Sequence, residues 1–309
     1  MTPGSASGAA SRVLLIEPLH FRYNLQTVDT NAFQVAPARE EEERLSRLAV
    51  TQHQALRDLL IENGVAVTAS RSEESTPDAP FCNNWFSTHS GDEHDAPTLV
   101  LYPLLAENRR GERRPDLIAL LRQAYPSVVD FSPNEAQGRF LESTGSLVLD
   151  PVPRVAYAAL SPRTDLSLAT EWARRLRYRL EAFTAVDRSG VPYYHTNVLM
   201  FIGHGLAGIC LDAIRSEEER RRIEGRLRQD GREMLRLSQD QAASFCGNCL
   251  ALSSATGQPL FVMSSQAWRA FDPAEREQIA RHGKILHTDL SAFELLGGGS
   301  ARCLIAELF

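Results

Sequence analysis

The sequence predicts an α/β protein built by repetition of a small unit. Apolar runs of strand length alternate with amphipathic stretches of helix length along nearly the whole chain. The rhythm of strand pair and helix returns at roughly 50–60 residues, about five times, without clear identity between units. The first strand runs into Glu17-Pro18-Leu19, where a dinucleotide-binding fold would need a glycine-rich turn. Radial or stacked units in one domain over residues 11–309 follow from these observations.

RVLLIEP (12–18) opens the pattern as a strand. Residues 40–64 read as a helix: acids open it, Gly64 closes it, and Leu45, Leu48, Leu56, Leu59 and Leu60 share a face. VAVTAS and TLVLYPL (98–104) are strands, PDLIALLRQAYP a short helix, and SVVDF a strand. RFLESTGSLVLD (139–150) and RVAYAAL (154–160) read as two strands around a turn, followed by a helix over roughly 166–182 and the strand FTAVD. YYHTNVLMFIG and LAGICLDAI are strands either side of His204-Gly205. Ser216 caps SEEERRRIEGRLRQDG, whose glutamates precede its arginines and so suit the helix dipole; the charge run is a solvated face. NCLAL and PLFVMSS are strands, AWRAFDPAEREQIARHG a helix, and KILHTDL and CLIAELF the last strands.

Of the 309 residues 43% are hydrophobic and 23% charged, values of a globular chain with a real core. The net charge of −6 argues against nucleic acid or an anionic membrane as partner. No apolar run reaches the roughly 18 residues of a membrane span, and the opening MTPGSASGAA lacks the order of a signal peptide. Residues 1–10 are expected to be a disordered tail, and a cytoplasmic location follows by default. Cys82, Cys210, Cys246, Cys249 and Cys303 are too scattered for a disulfide framework. The CGNC pair, Cys246 and Cys249, has redox or half-zinc-site spacing, but no second pair accompanies it. The remaining histidines lack ligand spacing, so neither metal nor cofactor is expected. HSGDEHDAP (89–97) reads as a surface loop, or else as a lid.

Chemistry concentrates in four polar stretches, each beside an apolar strand: FCNNWFSTH (81–89), LESTGS (141–146), YYHTNV (193–198) and GGGSARC (297–303). Strand ends converge if units radiate about an axis. Cys303, behind three glycines, is the nucleophile candidate, because backbone without side chains lets a substrate approach. His195 titrates near neutrality and is the natural acid/base partner. A carboxylate at Glu142 could hold a cationic substrate or orient the histidine, and Asn83 and Asn84 add donors and acceptors without charge. Taken singly, His195 is more often a hydrogen-bonded structural residue, Glu142 more often a turn residue, and Asn83-Asn84 usually turn chemistry.

Together with FRYNLQTVDTNAFQ (21–34), NRRGERR (108–114) and LSPRTD (160–165), these motifs make the chain resemble the guanidine-modifying (pentein) superfamily. The nearest branch is that of citrulline-utilisation hydrolases and amidinotransferase-like proteins, related to arginine deiminases and dimethylarginine hydrolases. The resemblance implies a five-bladed α/β propeller with its site on the axis. It implies a C–N hydrolase of a ureido or guanidino amino acid, of citrulline or arginine type. Cys303 would attack the central carbon to form a thiouronium-like adduct. His195 would protonate the leaving nitrogen and then activate water, and Glu142 would bind substrate nitrogens and position the histidine. Arg163, Arg110 and Asn197 join Asn83 and Asn84 as substrate-binding residues, the arginines through bidentate pairing with the α-carboxylate. Two departures from arginine deiminases remove negative charge: Asn197 ends the His-x-Asp pattern, and Asn83-Asn84 stand where an acid is usual. They point to a pocket that tolerates a neutral ureido group. An amidinotransferase, an arginine dihydrolase or deiminase, and a non-catalytic amino-acid-binding protein on the same fold are the alternatives. A small amino acid is the expected ligand, and the resemblance leaves room for a homodimer.

Overall fold

The computed structural model describes residues 8–91 and 96–309. Among these, fifteen strands form five sheets of three. Four sheets take consecutive strands: β3 (Phe86–His89), β4 (Thr98–Leu101) and β5 (Ser127–Asp130); β6 (Val148–Asp150), β7 (Val155–Ala159) and β8 (Arg179–Phe183); β9 (Met200–Gly203), β10 (Leu206–Ile209) and β11 (Glu233–Arg236); β12 (Leu250–Ser253), β13 (Pro259–Ser264) and β14 (Lys284–Thr288). The fifth joins the two ends of the chain, with β1 (Arg12–Glu17) between β2 (Ala66–Arg71) and β15 (Ala306–Leu308). In every sheet an antiparallel pair is followed by a parallel third strand. A parallel neighbour needs a crossover, and each is helical: Arg39–Glu62, Pro115–Ala124, Leu166–Leu176, Glu217–Gln229 and, last, Ser265–Ala270 with Pro273–His282. This is the five-bladed α/β propeller.

The crossover helices bury one stripe each and leave the rest to solvent. Leu168, Trp172 and Leu176 repeat every fourth residue and are buried, as are Leu45, Ala49, Leu56 and Leu60 of the first helix. The charged helix after Ser216 buries Ile223 and Leu227, and the Ser216 hydroxyl accepts from the Glu219 N–H. The core lies between neighbouring blades, where Val148, Tyr157, Met200, Phe201 and Phe261 fall in one apolar cluster.

Several expectations need correction. Residues 139–146 are not strand: Ser143–Ser146 form a helical turn, and β6 begins only at Val148. Residues 301–304 are likewise a turn of helix, so Cys303 precedes the last strand. Asp272 caps a separate helix at Pro273, since proline cannot continue the one before it. β11 went unmarked, because alternating exposure in Glu233–Arg236 leaves only Leu235 fully buried. Of the expected tail, residues 1–7 lie outside the described residues. Ala9 and Ala10 are buried, and the Ala10 carbonyl accepts from the Ser253 N–H at 2.9 Å, so order reaches back past residue 11. Four residues of the stretch 89–97 (92–95) also fall outside them. None of the described helices is long and apolar enough to cross a membrane.

Short turns lead into the inner strands and meet near the axis. At Gly247 an added Cβ would stand 2.3 Å from the Val198 carbonyl oxygen. Gly247→Ala is therefore expected to cost about 1–3 kcal/mol, the usual cost of overpacking, measured as a lower midpoint in urea unfolding.

Candidate active site

The turn before each inner strand brings one polar group toward the axis: Asn84, Glu142 at the head of Ser143–Ser146, His195 before Thr196–Val198, Asn248, and Cys303. Cys303 and His195 line one small hollow together with Asp78, Asn84, Arg109 and Arg163. Glu142 stands behind the histidine, fully buried. Its Oε2 lies 2.8 Å from His195 Nε2, and its Oε1 accepts from the Leu105 N–H at 3.1 Å. Ser143 is held at φ 43°, a left-handed backbone that is strained for a side-chain-bearing residue, and its hydroxyl donates to the Phe86 carbonyl at 2.8 Å.

Burial pushes the Glu142 carboxyl up. Arg163, the hydrogen bond and charge of His195, and Arg109 outweigh this and hold it well below the usual carboxylate range. Burial lowers the imidazole to about 4 against the pull of Glu142. The resting pair is thus a carboxylate and a neutral imidazole. Only an Nε2–H can donate to the carboxylate, which leaves Nδ1 as a proton acceptor. Gly145 makes room for that nitrogen: a Cβ there would lie 2.7 Å from it.

Cys303 is almost wholly buried, and burial raises its thiol. Two amide donors work in the other direction. Asn248 Nδ2 reaches the sulfur at 3.3 Å and Asn197 Nδ2 at 3.6 Å. Asn248 Oδ1 accepts from the Arg302 N–H, which turns its NH2 toward the sulfur. The three glycines ahead of Cys303 do more than open the way for a substrate. A Cβ at Gly297 would meet the Phe81 ring at 2.4 Å, and one at Gly298 would meet Asn31 Oδ1 at 2.7 Å.

The loop 21–34 closes over this arrangement. Arg163 donates to the Thr27 carbonyl and the Thr30 hydroxyl, and its guanidinium lies 5.2 Å from the centre of the Tyr194 ring. Asn24 donates to Asp78, and Asn31 to the Gly297 carbonyl.

The expected residues divide. Arg163 and Asn84 line the hollow. Asn197 touches the sulfur. Asn83 stands farther back, donating to Thr144 Oγ1 at 3.3 Å. Arg110 is a correction: it donates to the Leu104 and Leu105 carbonyls, and its neighbour Arg109 enters the site. Residues 107–112 form a 3-10 helix, in which positions three apart eclipse. Arg109 and Glu112 therefore share a side and pair at 2.8 and 3.0 Å. Asp78 and Asn248 were missed. Asp78 is the carboxylate whose absence the two asparagines had suggested, and its Oδ1 has no partner among the described residues. Cys246 and Cys249 are free and buried, and no metal-holding cluster occurs among the described residues.

The fold and this thiol–imidazole–carboxylate arrangement define a guanidine-modifying enzyme of the pentein superfamily. The model of the eukaryotic N,N-dimethylarginine dimethylhydrolase family matches residues 17–309, and the chain belongs to that family. No curated protein sequence matches it. Solved structures share its fold. The N-terminal domain of ArgZ, covalently bound to a reaction intermediate, is 19% identical, with a TM-score of 0.75 over 96% of this chain and 97% of that one. ArgZ is described as an arginine dihydrolase of cyanobacteria. Unliganded AgrE is 21% identical, with a TM-score of 0.76 over 96% of this chain and 39% of its own length. A dimethylarginine dimethylaminohydrolase variant carrying an S-methyl-L-thiocitrulline adduct is 17% identical, with a TM-score of 0.65 over 97% and 100%.

Titration of ring-labelled histidine by NMR is expected to show His195 protonated at Nε2, with a midpoint near 4. Between 6.5 and about 4 the unfolded chain binds a proton that the folded chain refuses. This residue therefore makes stability fall on acidification through that window.

Proposed function

We propose that the protein is a C–N hydrolase of an arginine-type guanidino substrate, working through a covalent bond to Cys303. The observation that carries this is the shared hollow of Cys303 and His195, with His195 Nε2 tied to Glu142 at 2.8 Å. At rest the thiol and the imidazole are both neutral. An entering guanidinium brings a positive charge beside the sulfur, and a nearby cation favours the thiolate. Asp78 and Glu142 offset that charge. The sulfur attacks the central carbon, and the thiol proton passes to His195 Nδ1. The imidazolium, stabilised by Glu142, hands the proton to the departing nitrogen. Water then attacks the adduct with His195 as base. Arg163 receives the substrate's carboxylate: among the described residues its only carboxylate partner is Glu142, at the long distance of 3.5 Å.

A second reading has its own observation. Arg109 Nη1 donates to Asn84 Oδ1 at 3.0 Å. Arginine cannot accept, so the amide is locked with Nδ2 away from it, and that buried nitrogen has no partner among the described residues. A guanidinium offers only donors, whereas a ureido oxygen accepts. The site is thereby suited to hold a ureido product and hydrolyse it again, as in an arginine dihydrolase. The cytoplasmic location expected by default and the homodimer for which the family resemblance leaves room are tested by fractionation and by light scattering.

Arginine, methylated arginines and citrulline, assayed separately for ammonia, amine and amino-acid products, test both readings. Arginine-type turnover is expected, lost to background in Cys303→Ser with the fold retained. No turnover of any guanidino substrate would sink the first reading. Transfer to added ornithine would make the protein an amidinotransferase. Asn84→Asp removes the donor and is expected to lower citrulline turnover by roughly tenfold or more, the worth of one buried hydrogen bond left unmade. Arginine converted to citrulline and no further would remove the second reading.

A further inference from the structure

Arg109 is almost without solvent contact, and three carboxylates stand around it. Glu112 pairs with it at 2.8 Å, while Asp78 and Glu142 lie at 3.9 Å. Of the three, Glu112 alone is within hydrogen-bonding distance: its Oε1 accepts from Nε at 2.8 Å and its Oε2 from Nη2 at 3.0 Å. A two-pronged grip of this kind fixes the plane of a guanidinium as well as its place. The remaining edge is thereby aimed. Nη1 donates to Asn84 Oδ1 at 3.0 Å, and Nη2 also donates to the Phe81 carbonyl at 3.2 Å.

The two side chains that Arg109 joins face different cavities. Asn84 lines the hollow. Glu112 lines a separate small cavity beside Thr76, Trp85 and Leu117. The counter-charge of the arginine therefore comes from behind, and the hollow meets an uncharged amide. An acid at position 84 would neutralise Arg109 by itself, but it would present only oxygen to the hollow. With the charge carried by Glu112, position 84 keeps an NH2 group free of the arginine. That nitrogen stands beside the base. A side chain at Gly145 would lie 2.4 Å from Asn84 Nδ2 and 2.7 Å from His195 Nδ1, so the two nitrogens border one point.

We infer that Glu112 is a positioning residue that sets ureido specificity: by holding Arg109 it fixes the Asn84 NH2 beside His195, where a ureido oxygen accepts from it. The inference rests on the second reading above, in which a ureido group is hydrolysed. A guanidinium has no acceptor and gains nothing from this donor. Glu112 thus acts on the citrulline step more than on the arginine step.

Glu112→Gln tests this, with arginine and citrulline as separate probes and ammonia and amino-acid products followed. The new NH2 group faces an N–H of Arg109, so the two-pronged grip is lost and Asn84 is free to turn. The kcat/KM for citrulline divided by that for arginine is expected to fall by roughly tenfold or more, the worth of one buried hydrogen bond left unmade. A purely structural role would lower both values together. A folded variant whose ratio stays within about twofold of wild type overturns the inference and leaves the second reading intact. A wild-type protein inert towards citrulline removes both. Because removing one partner of a buried pair is destabilising, Asn84→Asp/Glu112→Gln is the companion variant. It moves the carboxylate from one side of Arg109 to the other at constant net charge. It is expected to unfold at higher urea than Glu112→Gln alone, and to convert arginine to citrulline and stop there. A double variant no more stable than the single one, or one that hydrolyses citrulline at the wild-type ratio, overturns the inference.

Discussion

The hydrogen bond between Glu142 and His195 is the interaction on which the site depends. A carboxylate with no solvent contact is costly unless charge and donors surround it. Glu142 is surrounded by His195, the Leu105 N–H, Arg163 and Arg109. Those partners come from different blades and loops, so satisfying one buried charge draws the parts of the site together. Arg109, itself buried, is balanced in turn by Glu112 and orients Asn84. The network reaches outward to the loop over the hollow, where Arg163 grips Thr27 and Thr30.

This arrangement leaves Cys303 and His195 uncharged at rest. Burial acts on both in the direction of neutrality, up for the thiol and down for the imidazole. Amide donors from Asn248 and Asn197 favour the thiolate without bringing a charge of their own. In the proposed reaction the positive charge that completes activation comes with a guanidinium, so reactivity would be tied to occupancy. A buried thiol that stays protonated between turnovers is also shielded from adventitious oxidation.

Much of the fold was legible because its signals are local. Apolar runs marked most strands, and Ser216 and Gly64 marked helix ends. The reading failed where a turn interrupts an apolar run: LESTGS and SARC look extended because their residues are buried on every side, a consequence of packing at the axis and not of strand geometry. Cys303, His195, Asn84 and Arg163, singled out through the motifs that hold them, line one hollow, with Glu142 tied to His195 behind it. Arg110 was picked out of NRRGERR because a charge cluster does not reveal its helical phase until the 3-10 geometry is known. Asp78 sits in a proline-flanked turn that resembles any surface turn. Asn248 was hidden between two cysteines that drew attention to metal chemistry. Contacts such as Asn248 with Cys303, 55 residues apart, depend on five blades closing a ring.

That ring is closed by β15 lying against β1, with Arg12 opposite Leu308. The thiol therefore rides on a segment made after those that carry Glu142 and His195. Until residues nearly three hundred positions apart have found each other, the first blade lacks a strand and the axis stands open. Such distant pairings form slowly. Partly made chains would accordingly carry a histidine and a glutamate with no sulfur beside them, and reactivity would arise only with closure.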